Sequence, residues 1–163
     1  MRAIGYSTSK DIFHAFEMTE TVKISKAKSL IDRTLAEDII DTGTGEILEE
    51  VGSKITKSSA QSIIEKTKGK ITLIKDGVED IEVDMILNTI SKDPTSSTEE
   101  ALLLLYQHLR SGEAPTTSIA QKFIEKMFFS TKKYDLGQVG RYRINKKFDL
   151  KAPIDEPVLT KED

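Results

Sequence analysis

The sequence predicts an α+β protein: a helical domain interrupted by a small β-rich inserted unit. Two observations predict it. Apolar residues follow a helical period near the N-terminus and again after Val83. Between these stretches lie short β-prone runs broken by Gly-containing turns. Charge also changes sign along the chain. Residues 32–50 hold seven acidic side chains against Arg33 alone, whereas residues 132–151 hold seven basic ones against Asp135 and Asp149.

The elements follow in order. Residues 7–16 read as a short helix, with Ser7 or Thr8 as a cap, Asp11 three positions after Thr8, and Ile12, Phe13 and Phe16 on one face. Such a helix is too short to stand without a partner. Two β-prone runs around Asp41-Thr-Gly-Thr-Gly45 suit a hairpin, and a helix capped by Thr56 follows, ending at Gly69. Residues 70–75 and 78–83 flank Asp76-Gly77 and read as a second hairpin. Residues 86–90 read as a turn or two of helix, stopped at Asp93-Pro94. Ser97 opens a leucine-rich helix that ends at Ser111-Gly112, and Pro115-Thr116 starts another, with Ile119, Phe123, Ile124, Met127 and Phe128 on its apolar face. The four consecutive leucines wrap more than half a helix circumference and predict burial on several sides. Residues 132–148 read as irregular, bent at Gly137 and Gly140. The expected organisation is residues 1–17 with 87–150 as a discontinuous helical domain, 18–86 as the inserted unit, and 151–163 as a mobile linker with two prolines.

Composition narrows the function classes. With 163 residues, 37% hydrophobic and 31% charged, the chain suits an ordinary water-soluble globule of one or two small domains. It has no cysteine, which excludes a disulfide framework, a thiolate nucleophile and a cysteine zinc site. The lack of cysteine is compatible with a reducing cytoplasm, the expected location, and no membrane partner is expected, because the longest apolar run is far short of the ~20 residues a span needs. A net charge of −3 argues against nucleic-acid binding over the whole surface.

No catalytic residue and no metal ligand set is expected. The two histidines, His14 and His108, each sit in an apolar helical pattern, where a structural or surface role is expected. Gly43 and Gly45 lack phosphate-loop spacing and join strands instead of opening a helix. Asp41 and Glu46 could bind a cation only weakly, since the spacing of a calcium loop is absent. The basic stretch carries more information. If residues 142–144 are extended, Arg141 and Arg143 point to one face, with Lys146 and Lys147 close behind, and that arrangement could read phosphates or base edges. Pairing of these cations with the acidic unit is an equal alternative.

The residues also carry a resemblance. The run SGEAPTTSIAQKFIEKMFFSTKKYDLGQVGRYRINKKFDL resembles the β subunit of bacterial RNA polymerase, with its R-P-G-[ED]-[PA]-P-T, LFF, RYDL and VGR motifs in order. RAIGYSTSKDIF and KDPTSSTEEALLLLYQHLR resemble segments of the same subunit, and VLTKED looks like the start of its next helix. Ser111 stands where the family usually has proline. About seventy intervening residues look like a lineage-specific insertion, to which no family residue roles transfer. Met1 and Thr160 to Asp163 read as the ends of an excised piece.

The resemblance implies a segment of the β lobe, a wall of the downstream DNA channel, in a nucleotidyltransferase of DNA-templated transcription. It implies no enzymatic activity or cofactor in this piece, the parent's magnesium being held by the other large subunit. It implies DNA and the β′, α, ω and sigma subunits as partners, with transcription factors at the insertion. Arg141 and Arg143 are the matched positions expected to face DNA. The alternative is a stand-alone protein-interaction module using the acidic β-rich unit.

Overall fold

The structure is a computed structural model that describes residues 1–24, 29–110, 115–161 and 163. The predicted helix stop at Ser111-Gly112 lies outside the described residues. After a 3-10 turn at Arg2–Ile4, the order is α1 (Ser9–Ala15), β1 (Thr19–Lys23), β2 (Ile39–Ile40), β3 (Ile47–Glu49), α2 (Lys57–Lys66), β4 (Lys70–Ile74), α3 (Asp80–Lys92), α4 (Thr98–Leu109), α5 (Thr117–Phe128) and α6 (Gly137–Phe148). The α+β class therefore holds. The chain divides into two packed units: Met1 with Tyr6–Ser96, and Arg2–Gly5 with Ser97–Asp163.

In the first unit, local signals set the helix starts. Thr8 accepts from the Asp11 N–H, and the Asp11 carboxylate accepts from the Thr8 N–H, a complete capping box. Hydrogen bonding from the Thr8 hydroxyl, and then from its backbone N–H, holds the Asp11 carboxyl below its ordinary value. Thr56 and Ser59 make the equivalent pair at α2. Thr56→Ala is expected to lower stability by about 1 kcal/mol, as loss of an N-cap oxygen does. A urea titration of the whole chain reads this shift.

The strands pair differently from the sequence expectation. β4 runs antiparallel to β1, with Thr19 opposite Ile74 and Lys23 opposite Lys70. The predicted hairpin at Asp76-Gly77 is corrected: its second arm is the first turn of α3. The turn itself forms, with Gly77 at φ 92°. Helix wins here because Val83, Ile86, Leu87 and Ile90 recur at i, i+3, i+4 and i+7, a pattern hidden when the run is cut at Val83. Asp80 and Glu82 in the first turn also complement the helix dipole. The hairpin around Asp41 does form, but as two very short strands, with Ile40 opposite Ile47.

Two clusters build this unit's interior. Leu30, Leu35, Ile55, Ile63 and Leu73 are fully or almost fully buried around one. Phe13, with no exposure, packs with Ala36, Ile74 and Val83 in the other, and Leu87 lies against them. The approach at Gly52 is close: a Cβ there would stand 2.5 Å from Leu87 Cδ1, at φ 84°. Grouping by packing thus departs from the expected partition of residues 1–17 with 87–150. The helix α1 belongs with the β-rich segment because Phe13 fills its core. Lys10 adds an ion pair to Glu37 at 2.9 Å, and Glu37 in turn accepts the Thr72 N–H.

The acidic residues of this segment do more than charge its surface. Several are internal fasteners. Asp38 accepts the Val51 N–H at 2.7 Å, Glu20 pairs with Arg33, and Asp41 accepts the Gly43 N–H while lying 3.6 Å from Lys66. The Gly43 bond is the main reason the Asp41 carboxyl is held below its ordinary value.

In the second unit, α4 and α5 enclose Leu102, Ala120 and Ile124, with Ile4 from the N-terminal turn packed against them. Ser97 caps α4 by accepting the Glu100 N–H. Tyr106 meets Phe123 edge-on at 5.2 Å. The burial on several sides expected of the four leucines is only partly reached: Leu102 is buried and Leu103 and Leu104 half-buried, but Leu105 is exposed.

Candidate nucleic-acid interface

The basic stretch is helical, a correction to the irregular reading. Asp135 accepts the Gly137 N–H at 2.8 Å, starting α6, which ends at Asp149 in the left-handed region. Helix geometry reverses the expected grouping of the arginines. Two residues apart on an extended strand they share a face, but on a helix they stand about 200° apart.

Arg141 accordingly points inward and is fully buried. Its Nε donates to the Glu156 carbonyl at 3.1 Å and its Nη1 to both Asp163 carboxylate oxygens, at 2.7 and 2.9 Å. Its Nη2 donates to the Val158 carbonyl. This corrects the expectation that Arg141 faces nucleic acid, because its guanidinium is spent on the protein's own acceptors. Burial works against the charge on Asp163. The Arg141 bonds, the Thr160 N–H at 2.6 Å and the Arg141 charge outweigh it, so the carboxyl sits below its ordinary value.

The remaining predicted residues stay together outside. Arg143, Lys146 and Lys147 are exposed, as are Tyr142 and Val139. At about 100° per residue, these five cover an arc of roughly 140° on the side away from Arg141. Lys147 Nζ also stands 5.4 Å from the ring centroid of Phe148. The result is one cationic stripe carrying an exposed aromatic ring.

Sequence reasoning missed the strap that holds the other side of α6. Residues 151–161, expected to be mobile, are tied at several points. Asn145 Nδ2 donates to the Ala152 carbonyl at 2.6 Å, the Leu136 N–H to Pro157 at 2.8 Å, and the Leu159 N–H to Phe128 at 3.2 Å. Thr160 and Asp163, spaced as a helix start, were a visible signal for local order. Nothing in the sequence marked Asp163 as the partner of Arg141.

The other candidates have local roles. His14 Nδ1 lies 3.0 Å from Thr19 Oγ1, and His108 Nδ1 donates to the Leu104 carbonyl at 2.8 Å. Among the described residues no three His, Cys, Asp or Glu side chains are placed to hold a metal ion. Among them, too, no helix is long and apolar enough to cross a membrane.

The helix α6 thus has a buried guanidinium on one side and a cation stripe on the other. Comparison with known proteins gives the family. Residues 46–163 match the family RNA polymerase Rpb2, domain 2. The chain is 40% identical over 180 residues to the DNA-directed RNA polymerase subunit beta of Flavobacterium johnsoniae, which covers 99% of this chain and 14% of that protein. The subunit of the same name from Bacteroides thetaiotaomicron is 38% identical, and that from Porphyromonas gingivalis 37%, each over 100% of this chain and 14% of its own length. The chain belongs to the RNA polymerase β-subunit family. It spans about 14% of the length of these relatives, and the segment read as an insertion is shared with them.

Proposed function

We propose that this chain is a structural segment of a DNA-directed RNA polymerase, acting in DNA-templated transcription as part of the wall of the downstream DNA channel through the outer face of α6. The observation that carries the reading is the exposed row of Arg143, Lys146 and Lys147 with Tyr142 among them. Such a row engages phosphates by charge, while the ring supplies an apolar or stacking contact. The chemistry of nucleotidyl transfer and its magnesium belong on this reading to the rest of the polymerase. The partners are DNA and the other polymerase subunits, β′, α, ω and sigma, in the cytoplasm.

Factor docking by the β-rich segment is the second part of the reading. Support for it comes from the cross-strand pair Ile40 and Ile47, 50% and 57% exposed. Two neighbouring apolar side chains left in water beside the exposed Glu46 suit a protein partner more than an isolated surface.

The test is binding of the whole chain to a DNA duplex, followed by fluorescence anisotropy across salt concentrations. Three cations engaging phosphates give a slope of log affinity against log salt of about −2.7 at most, and each one replaced by alanine lowers its magnitude by about 0.9. Binding is weak and independent of sequence. A slope unchanged in the Lys146→Ala/Lys147→Ala protein would place the DNA contact elsewhere.

A further inference from the structure

We propose that Arg141 is a positioning residue, a latch that locks α6 to the strap of residues 151–161 and Asp163 and thereby sets the direction in which the cation stripe faces. The DNA arm of this inference rests on the reading of α6 given above. The latch itself rests on geometry alone.

A helix lying on a surface can roll about its axis or fray at its end unless something fixes it. Apolar contacts resist this weakly, because they are non-directional. Here the inward side of α6 carries two polar side chains one turn apart, Arg141 and Asn145, and both bind the strap. Asn145 takes the Ala152 carbonyl, while Arg141 takes Glu156, Val158 and Asp163. The guanidinium suits this role because its donors lie in a rigid planar fork, so satisfying three acceptors at once defines the position and roll of the helix. Burial adds strength: the side chains of Arg141 and Asp163 are 0% and 1% exposed, so water does not compete for the donors. The Asp163 carboxylate also accepts the Thr160 N–H, which joins the far end of the strap to the same point.

The direction of the stripe follows. With Arg141 pinned, Arg143, Lys146 and Lys147 project together from the opposite side. Without it, the three cations Arg143, Lys146 and Lys147 remain in the sequence but no longer face one fixed direction.

Arg141→Lys tests this, because it keeps net charge and leaves a side chain unable to reach all three acceptors. In the whole chain, hydrogen exchange of the Leu136, Leu150 and Leu159 amides, and of α6, is expected to quicken tenfold or more. The Leu102 and Ile124 amides should be unaffected. Duplex affinity at low salt is expected to fall threefold or more, with a shallower salt slope, although no charge is lost. Lys146→Ala/Lys147→Ala serves as the contrast: the slope falls while exchange is unchanged.

Unchanged exchange in Arg141→Lys would overturn the latch. So would a uniform rise extending through α4 and α5, which would make Arg141 an ordinary core residue. Faster exchange with affinity and slope intact would overturn its hold on the stripe. Absence of DNA binding by the unaltered chain would instead overturn the interface reading, and exchange alone would then decide the latch.

Discussion

Asp163→Asn lowers the stability of the C-terminal unit by about 3–5 kcal/mol, because it leaves the buried Arg141 guanidinium without its counter-charge. The asparagine still offers one oxygen, but it cannot balance a cation that no water reaches. Arg141→Met combined with Asp163→Leu removes both charges and restores part of the loss, since an apolar pair of similar volume avoids desolvation. Denaturant titration of the three proteins, with exchange of α6 amides as a local reporter, measures the effect. A loss under 1 kcal/mol in Asp163→Asn would mean the pair opens to solvent.

The same pair predicts a pH dependence. The Asp163 carboxyl titrates below its ordinary value of 3.8 in the folded protein. Its contribution is therefore fully present above about pH 4 and is lost as pH falls through the depressed value. Asp11 and Asp41 are shifted in the same direction and act likewise in the first unit. Melting curves should show this contribution unchanged from pH 7 to 5 and declining below about 4. Asp163→Asn should show the smaller decline.

Phe13→Ala is the second large effect, about 3–5 kcal/mol, the range for emptying a fully buried aromatic site. The ring has no exposure and lies against Ala36, Ile74 and Val83, so the cavity opens beside β4. Exchange protection across the β1–β4 pair should fall with it. Phe16→Ala, at a ring 52% exposed, is expected to stay within about 0.5 kcal/mol. Full protection of β1 and β4 in Phe13→Ala would show that α1 is not part of their core.

What the sequence by itself determined is local. The starts of α1, α2 and α4 were legible at Thr8, Thr56 and Ser97, because a cap satisfies backbone donors within three residues of itself. The Asp41 hairpin and the turn at Gly77 were legible for the same reason, since φ and hydrogen bonding at a turn are settled nearby. The residue motifs that carry the family resemblance were also plain, and the basic stretch was visible as a group of four, Arg141, Arg143, Lys146 and Lys147, without a sign of which of them lies inside.

The tertiary structure alone decided the rest. Whether residues 70–74 pair with the segment after them or with β1 depends on which partner completes a buried core, and both share the same local pattern. Placement of α1 turned on where Phe13 finds a cavity, which periodicity does not reveal. The fate of Arg141 shows the difference most clearly. Its neighbours do not distinguish it from Arg143, and an extended reading put the two side by side. The helix turned one inward, and a strap brought Asp163 to meet it. A buried guanidinium persists only where acceptors from distant sequence converge on it, and that convergence is a property of the fold.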